Sequence, residues 1–187
     1  MGRITLNIPS REQLSDAFRM LGYCRGAEIG VAEGVLSEQL VKFAGCGGKL
    51  YLVDAWQHIG GLDDTNNPSA EEQEQRFQWV QSKFTGNKNV EIRRGWSVEM
   101  AATFRDMELD WIYLDADHRE ESVLADLKAW YPKVRVGGML SGHDYFNSPG
   151  WENHHGVKAA VDAFFGCRIV SLTTEFQYEH SWYIIKE

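Results

Sequence analysis

The chain reads as an α/β domain built on a mainly parallel sheet, and three observations predict this. Short strand-like runs, among them Ala27-Glu28-Ile29, Lys49–Val53, Leu109–Leu114 and Met139-Leu140-Ser141, alternate with stretches of helical periodicity. The run Leu109-Asp110-Trp111-Ile112-Tyr113-Leu114 is nearly all apolar, as in a strand covered on both faces. Asp54, Gly95, Asp115 and Asp144 stand at or just beyond the ends of four such runs. Open parallel sheets place their ligands at those carboxyl ends.

A chain of 187 residues can form one domain with a real core. The expected organisation is a single domain over 1–187, with 1–25 as an N-terminal helical extension. The net charge is -8, and no run of Lys or Arg stands out. Nucleic acid and anionic membranes are therefore not expected partners. No apolar run approaches the ~20 residues of a membrane helix, and the N-terminus lacks the apolar core of a signal peptide. Cys24, Cys46 and Cys167 are odd in number and fit no Cys-x-x-Cys pattern. They read as free thiols, small packing residues in a reducing cytosol, so a cytoplasmic location is expected.

The elements follow in order. Pro9–Leu21 reads as a helix with Leu14, Ala17, Phe18 and Leu21 on one stripe, ended by Gly22. Ala27–Ile29 is a strand, Gly30–Gly34 a glycine turn, and Val35–Leu40 the start of a helix. The glycines allow a tight turn and a close ligand, and the helix start offers free N–H groups. Lys49–Val53 is the second strand and ends in Asp54. Ala55–Ala70 is a long loop at the strand's carboxyl end, read as a lid with Trp56 near the ligand. His58 within it reads as solvated. Glu71–Phe84 is a polar helix with Phe77, Val80 and Phe84 inward. Asn89–Arg94 is the third strand, followed by Gly95-Trp96-Ser97, where Ser97 can cap a helix. Leu109–Leu114 is the fourth strand and Glu120–Trp130 a helix. Gly137-Gly138 opens a fifth strand, Met139–Ser141. Tyr145–His155 is a second loop with Trp151, Asn153, His154 and His155. Gly156–Phe165 is helical, and Arg168–Thr173 and His180–Lys186 form a last strand pair.

The glycine turn constrains the ligand. Asp54 falls twenty residues after Gly34, where a βαβ unit places an acid on ribose hydroxyls. Glu28 and Glu33 flank the turn, which lacks the Gly-x-Gly-x-x-Gly spacing. Two carboxylates would repel a pyrophosphate by about 1–4 kcal/mol per close pair. A cationic adenosine ligand fits better, and S-adenosylmethionine carries an ammonium, a sulfonium and a ribose diol. The competing readings are an NAD- or nucleotide-dependent enzyme, which the glutamates disfavour, and a non-catalytic S-adenosylmethionine-binding domain.

Five blocks in order carry a resemblance: Glu28–Gly34, Leu52-Val53-Asp54, Gly95-Trp96-Ser97, Ile112–His118 and Gly137–Asp144. Together they resemble class I S-adenosylmethionine-dependent methyltransferases. The nearest likeness is to small-molecule O-methyltransferases with Asp-Ala-Asp-His and His-Asp motifs. The resemblance covers nearly the whole chain from Ala27. It implies a Rossmann-like three-layer sandwich with a mainly parallel seven-stranded sheet whose last strand is antiparallel. It also implies methyl transfer to a hydroxyl of a small molecule, with the acceptor's identity left open. A homo-oligomer is one option that the sequence leaves open.

The cofactor-binding residues expected on this resemblance are Glu28, Gly30, Glu33, Gly34, Ser37, Asp54, Trp56, Gly95, Trp96, Ser97 and Asp115. Trp96 can instead be simple packing, and Asp117 can be a helix cap. Catalytic candidates are Asp115, His118 and His143. A hydroxyl near pH 7 needs a histidine base or a divalent ion that lowers its pKa. The resemblance implies a metal on Asp115, His143 and Asp144. Oxygen ligands suit Mg2+, Ca2+ or Mn2+, but His143 stands where the family has an acid, so either the ion is Mn2+, Fe2+ or Zn2+ or only Asp115 and Asp144 bind it. Without metal, His143 or His118 is the base and Asp144 orients it.

Overall fold

Alternating faces of the strands dictate three layers. The computed structural model describes residues 6–44, 47–61, 67–145, 156–166, 170–174 and 180–187. A 3-10 turn at Arg11–Gln13 leads into α1 (Leu14–Met20), which buries Leu14, Ala17 and Phe18. The helix expected from Pro9 thus starts in tighter form, and Gly22, at φ +69°, ends it as expected. The first unit is β1 (Arg25–Ile29), α2 (Val35–Ala44) and β2 (Lys49–Asp54). Next come α3 (Ala70–Phe84), β3 (Val90–Arg94), α4 (Ser97–Ala101) and β4 (Leu109–Leu114). The chain continues with α5 (Glu120–Trp130), β5 (Val134–Gly142), α6 (Val157–Phe165), β6 (Ser171–Leu172) and β7 (Trp182–Ile185). Ser69 starts α3 with a capping box: its side chain accepts from the Glu72 amide, and the Glu72 carboxylate accepts from the Ser69 amide.

The sheet formed by the described residues has seven strands in the order β3-β2-β1-β4-β5-β7-β6. β1 pairs in parallel with β2 and β4, β2 with β3, and β4 with β5. β7 runs antiparallel to both β5 and β6. Alternation sorts β4: Trp111 and Tyr113 pack with α1, α2 and α3, whereas Ile112 and Leu114 pack with α4, α5 and α6. Trp111 is fully buried, its indole stacked on Phe18 with 4.2 Å between centroids and met edge-on by Phe43. Such pairs add about 0.5–1.5 kcal/mol beyond the area they bury.

Two elements differ from expectation. β5 begins at Val134 rather than at Gly137-Gly138, and its register against β4 shifts between Leu109 and Trp111. The glycines lie inside this irregular strand because a Cβ at Gly138 would stand 2.4 Å from the Asp110 carbonyl oxygen. The last strand pair is shorter than expected, limited to Ser171–Leu172 and Trp182–Ile185. Residues 146–155, with Trp151, Asn153, His154 and His155, lie outside the described residues, as do Cys46 and Cys167. Cys24 is free as expected but exposed rather than packed. No helix of the described residues is long and apolar enough to cross a membrane.

The register aligns the strand ends. Ile29 pairs with Val53 and with Leu114, so Gly30, Asp54 and Asp115 emerge at one level. Leu114 pairs with Gly142, which brings His143 to the same edge. The strand order reverses between β1 and β4, so the crevice opens where parallel α/β sheets bind ligands.

Candidate functional site

A cavity of about 420 Å3 lies at this edge. Its floor is Gly30 and Asp54, and its far wall includes Trp96, Ser97, Asp117 and Asp126. Ile59 and Asn67, from the stretch after β2, also line it. The Asn67 side chain clasps that stretch, accepting from the Ile59 amide and donating to the Ile59 carbonyl, both at 2.8 Å. His58 is exposed, as expected, with Nδ1 2.9 Å from the Pro68 carbonyl oxygen.

The Asp54 carboxylate shapes the glycine turn. Its Oδ2 accepts from the amides of Val31 (2.8 Å) and Ala32 (3.0 Å), and Oδ1 accepts from the amide of Trp56 (2.7 Å). A carboxylate has about four lone-pair sites, so roughly one remains for a ligand. Trp56 is buried in the core, at φ +43°, and does not line the cavity. Its indole N–H donates to the Ala32 carbonyl at 2.9 Å and its ring packs 5.0 Å from Phe77. The residue expected beside the ligand thus pins the turn from behind.

Glu28 is fully enclosed beneath the turn, where the Ser37 hydroxyl donates to it at 2.5 Å. Burial pushes its carboxyl up to about 8, with Ser37 opposing and the charges of Asp115 and Asp54 adding to the rise. Glu33 instead points outward and pairs with Arg76 at 2.7 Å. Gly34, at φ +71°, faces Val80 and Phe84. Of the expected cofactor residues, Gly30, Asp54, Trp96 and Ser97 line the cavity. Glu28, Glu33, Gly34, Ser37, Trp56, Gly95 and Asp115 do not.

A second group gathers at the ends of β4 and β5. His118 lies between two acids, with Nε2 3.3 Å from Asp115 and Nδ1 3.1 Å from Asp144. His143 Nδ1 is 3.0 Å from Asp144 Oδ1 and 3.9 Å from Asp115 Oδ1. Arg11 enters from the N-terminal 3-10 turn, 3.3 Å from His143 Nε2 and 3.7 Å from Asp115. Guanidinium only donates, so His143 Nε2 accepts from it and Nδ1–H donates to Asp144. Burial pulls the His143 imidazole down, but the bond to Asp144 and the charges of Asp115 and Asp144 outweigh it, leaving the ring above its ordinary value.

Asp115, His118 and Asp144 each offer a donor atom within 4.8 Å of the others. The sequence placed His143 in that trio; the structure brings His118 into it and sets His143 against Asp144. A neutral imidazole has one N–H, so at one of the two His118 contacts a lone pair meets a carboxylate oxygen. A proton on the ring or a cation between the groups would relieve this, and the donor set fits a divalent ion. Asp117 accepts from the Arg119 amide and the Ser122 hydroxyl, so it secures the entry to α5 while also lining the cavity.

Sequence reasoning missed Arg11, Asn67, Gln73 and Asp126. Two of these left a signal. Gln73 precedes Phe77, Val80 and Phe84 on one stripe of α3, and Asp126 sits among Val123, Leu127 and Trp130 on α5. A polar residue on an apolar stripe is a candidate for a site wall. Arg11 left none.

The comparisons agree with this geometry. The model of a family described as a methyltransferase domain matches residues 27–145. Among curated proteins, none matches the sequence. The fold resembles a candidate caffeoyl-CoA O-methyltransferase from Staphylococcus aureus, with TM-score 0.68, 12% identity, and 97% of this chain and 85% of that one covered. It also resembles an O-methyltransferase from Bacillus cereus in complex with SAH, with TM-score 0.66, 15% identity and coverage of 94% and 80%. A candidate rRNA methylase from Clostridium thermocellum is similar too, with TM-score 0.66, 17% identity and 98% of both chains covered. With the match spanning the glycine turn, Asp54 and the acid–histidine group, the chain belongs to the methyltransferase-domain family and is a class I S-adenosylmethionine-dependent methyltransferase.

Proposed function

We propose that the protein methylates a hydroxyl of a small molecule, with His143 as the base. The observation that carries this reading is the His143–Asp144 pair beside Asp115 and His118, at the strand ends next to the cavity. S-adenosylmethionine supplies an already activated methyl group. The chain's residues then position the acceptor and remove its proton. Asp54 holds the ribose by its remaining acceptor site, and the backbone at Gly30 faces the amino acid end. Glu28 sits behind that backbone, hydrogen-bonded to the Ser37 hydroxyl. Asp144 fixes the His143 tautomer through Nδ1–H, leaving Nε2 to take the hydroxyl proton once the acceptor displaces Arg11. The C–O bond forms as the C–S bond breaks onto sulfur, and the proton ends on Nε2.

A second reading has an observation in its favour. The donor set of Asp115, His118 and Asp144 would hold a divalent ion, with one nitrogen and two oxygens suiting Mn2+, Fe2+ or Zn2+. Such an ion would lower the pKa of the acceptor hydroxyl. The net charge of -8 favours a small acceptor over a nucleic acid, despite the resemblance to a candidate rRNA methylase. Methylation of a panel of phenols and alcohols, measured with labelled S-adenosylmethionine, tests the reaction. Transfer only to amines, thiols or RNA would refute it.

A further inference from the structure

We propose that Asp126 reads the exocyclic amine of the cofactor's adenine and so makes the site select adenosine over other purine nucleosides. The proposal rests on the S-adenosylmethionine reading and deepens it. Asp54 lies on the cavity floor at the end of β2, and Trp96, 40% exposed, lies just beyond the end of β3. A ribose on Asp54 sends its base toward Trp96 and the wall beyond it. That wall is one face of α5, where Ser122, Ala125 and Asp126 follow at helical spacing.

Asp126 is 7% exposed, yet it lines the cavity. Its Oδ1 accepts from the Ser97 hydroxyl at 2.5 Å, and that hydroxyl in turn accepts from the Trp130 indole N–H at 2.9 Å. The Ser97 proton is therefore spent on Asp126, and Oδ1 is held in place. Ser97 is the hydrogen-bond partner of this carboxyl among the described residues, and it occupies Oδ1. Oδ2 is left to accept from a ligand that enters the cavity Asp126 lines. Burial, with Asp117's charge adding, raises the carboxyl to about 6, so at pH 8 it is ionised and can only accept.

Adenine offers an amine donor at position 6. Hypoxanthine offers a carbonyl oxygen there, lone pair against lone pair, and unsubstituted purine offers only C–H. Sites built around a hydrogen bond to a substrate group reject analogues that lack the group. A purely structural Asp126 would treat the three bases alike.

The test is calorimetric titration at pH 8 of the unaltered protein with S-adenosylhomocysteine, S-inosylhomocysteine and the analogue whose base is unsubstituted purine. The adenine ligand is expected to bind about tenfold or more tightly than either of the others. In Asp126→Asn the side-chain amide can donate to the hypoxanthine oxygen, so the adenosyl-to-inosyl ratio should fall by about tenfold. Equal affinities in the unaltered protein would overturn the proposal, and this arm needs no variant to fold. A folded Asp126→Asn with an unchanged ratio would overturn it too, leaving the cofactor reading in place. If the unaltered protein does not bind S-adenosylhomocysteine at all, the cofactor reading fails and the proposal falls with it.

Discussion

His143 and Asp144 are neighbours in sequence, yet their side chains turn toward each other, with Nδ1 3.0 Å from Oδ1. Asp144 reaches this position at φ +55°, a left-handed conformation that a non-glycine residue adopts at some cost. The strain points the carboxylate at both histidines instead of into solvent.

If this pair is the base, His143→Ala lowers kcat by about 10²- to 10⁴-fold while S-adenosylhomocysteine affinity stays near that of the unaltered protein. Asp144→Asn falls between the two. Excess EDTA separates the two readings of the site. Full activity in EDTA eliminates the ion, whereas activity lost in EDTA and restored by Mn2+ or Zn2+ makes the acid–His118 trio its seat.

Asp54 holds three backbone amides and, on the proposed function, the ribose as well, and its variants should separate the two. Asp54→Ala is expected to weaken S-adenosylhomocysteine about 10- to 100-fold by loss of the ribose contact. It should also lower stability by about 2 kcal/mol or more, because three backbone amides lose their acceptor. Calorimetry and denaturant melts read these separately. A variant with full affinity would remove Asp54 from the ribose.

Glu28 predicts a pH dependence of stability. Its folded value of about 8 lies above the ~4.3 of an unfolded glutamate. A raised acid favours the folded state while it holds its proton. That contribution is fully present below about pH 4.3 and is lost as pH rises through about 8. The Tm of the protein should therefore fall more steeply between pH 5 and 9 than that of Glu28→Gln, whose side chain does not titrate. Parallel curves would show that Glu28 is ionised throughout.

The stretch after β2 should respond to ligand. Ile59 and Asn67 line the cavity and are tied to each other. Amide exchange in 55–61 and 67–70 should slow several-fold when S-adenosylhomocysteine binds. Identical exchange with and without ligand would make the stretch a fixed wall.

The fold was legible because each strand carries its own signal. The apolar run of β4 and the punctuation at Asp54, Gly95 and Asp115 mark the edge where the cavity lies. The site was legible only close to the strand ends. Asp115 directly follows β4 and Asp144 stands two residues beyond β5, and the structure places them together with His118. Choosing between His118 and His143 depends on how the chain turns after β4 and β5, which no spacing encodes. Trp56 misled because its position after β2 suggested the ligand side, whereas a positive φ sends its indole into the core. Arg11 arrives more than a hundred residues away in sequence from the histidine it touches, so no local pattern could announce it.

Gly30 has a consequence for how such chains diverge. A Cβ at this position would stand 2.0 Å from the Asp115 carbonyl oxygen, and φ is +86°. The glycine is demanded by the crossing of two main-chain segments, whatever occupies the cavity. A descendant that abandoned catalysis would still have to keep it in order to fold. The turn sequence would therefore stay intact in a lineage that had lost activity. A search keyed to the turn would collect silent copies along with working enzymes.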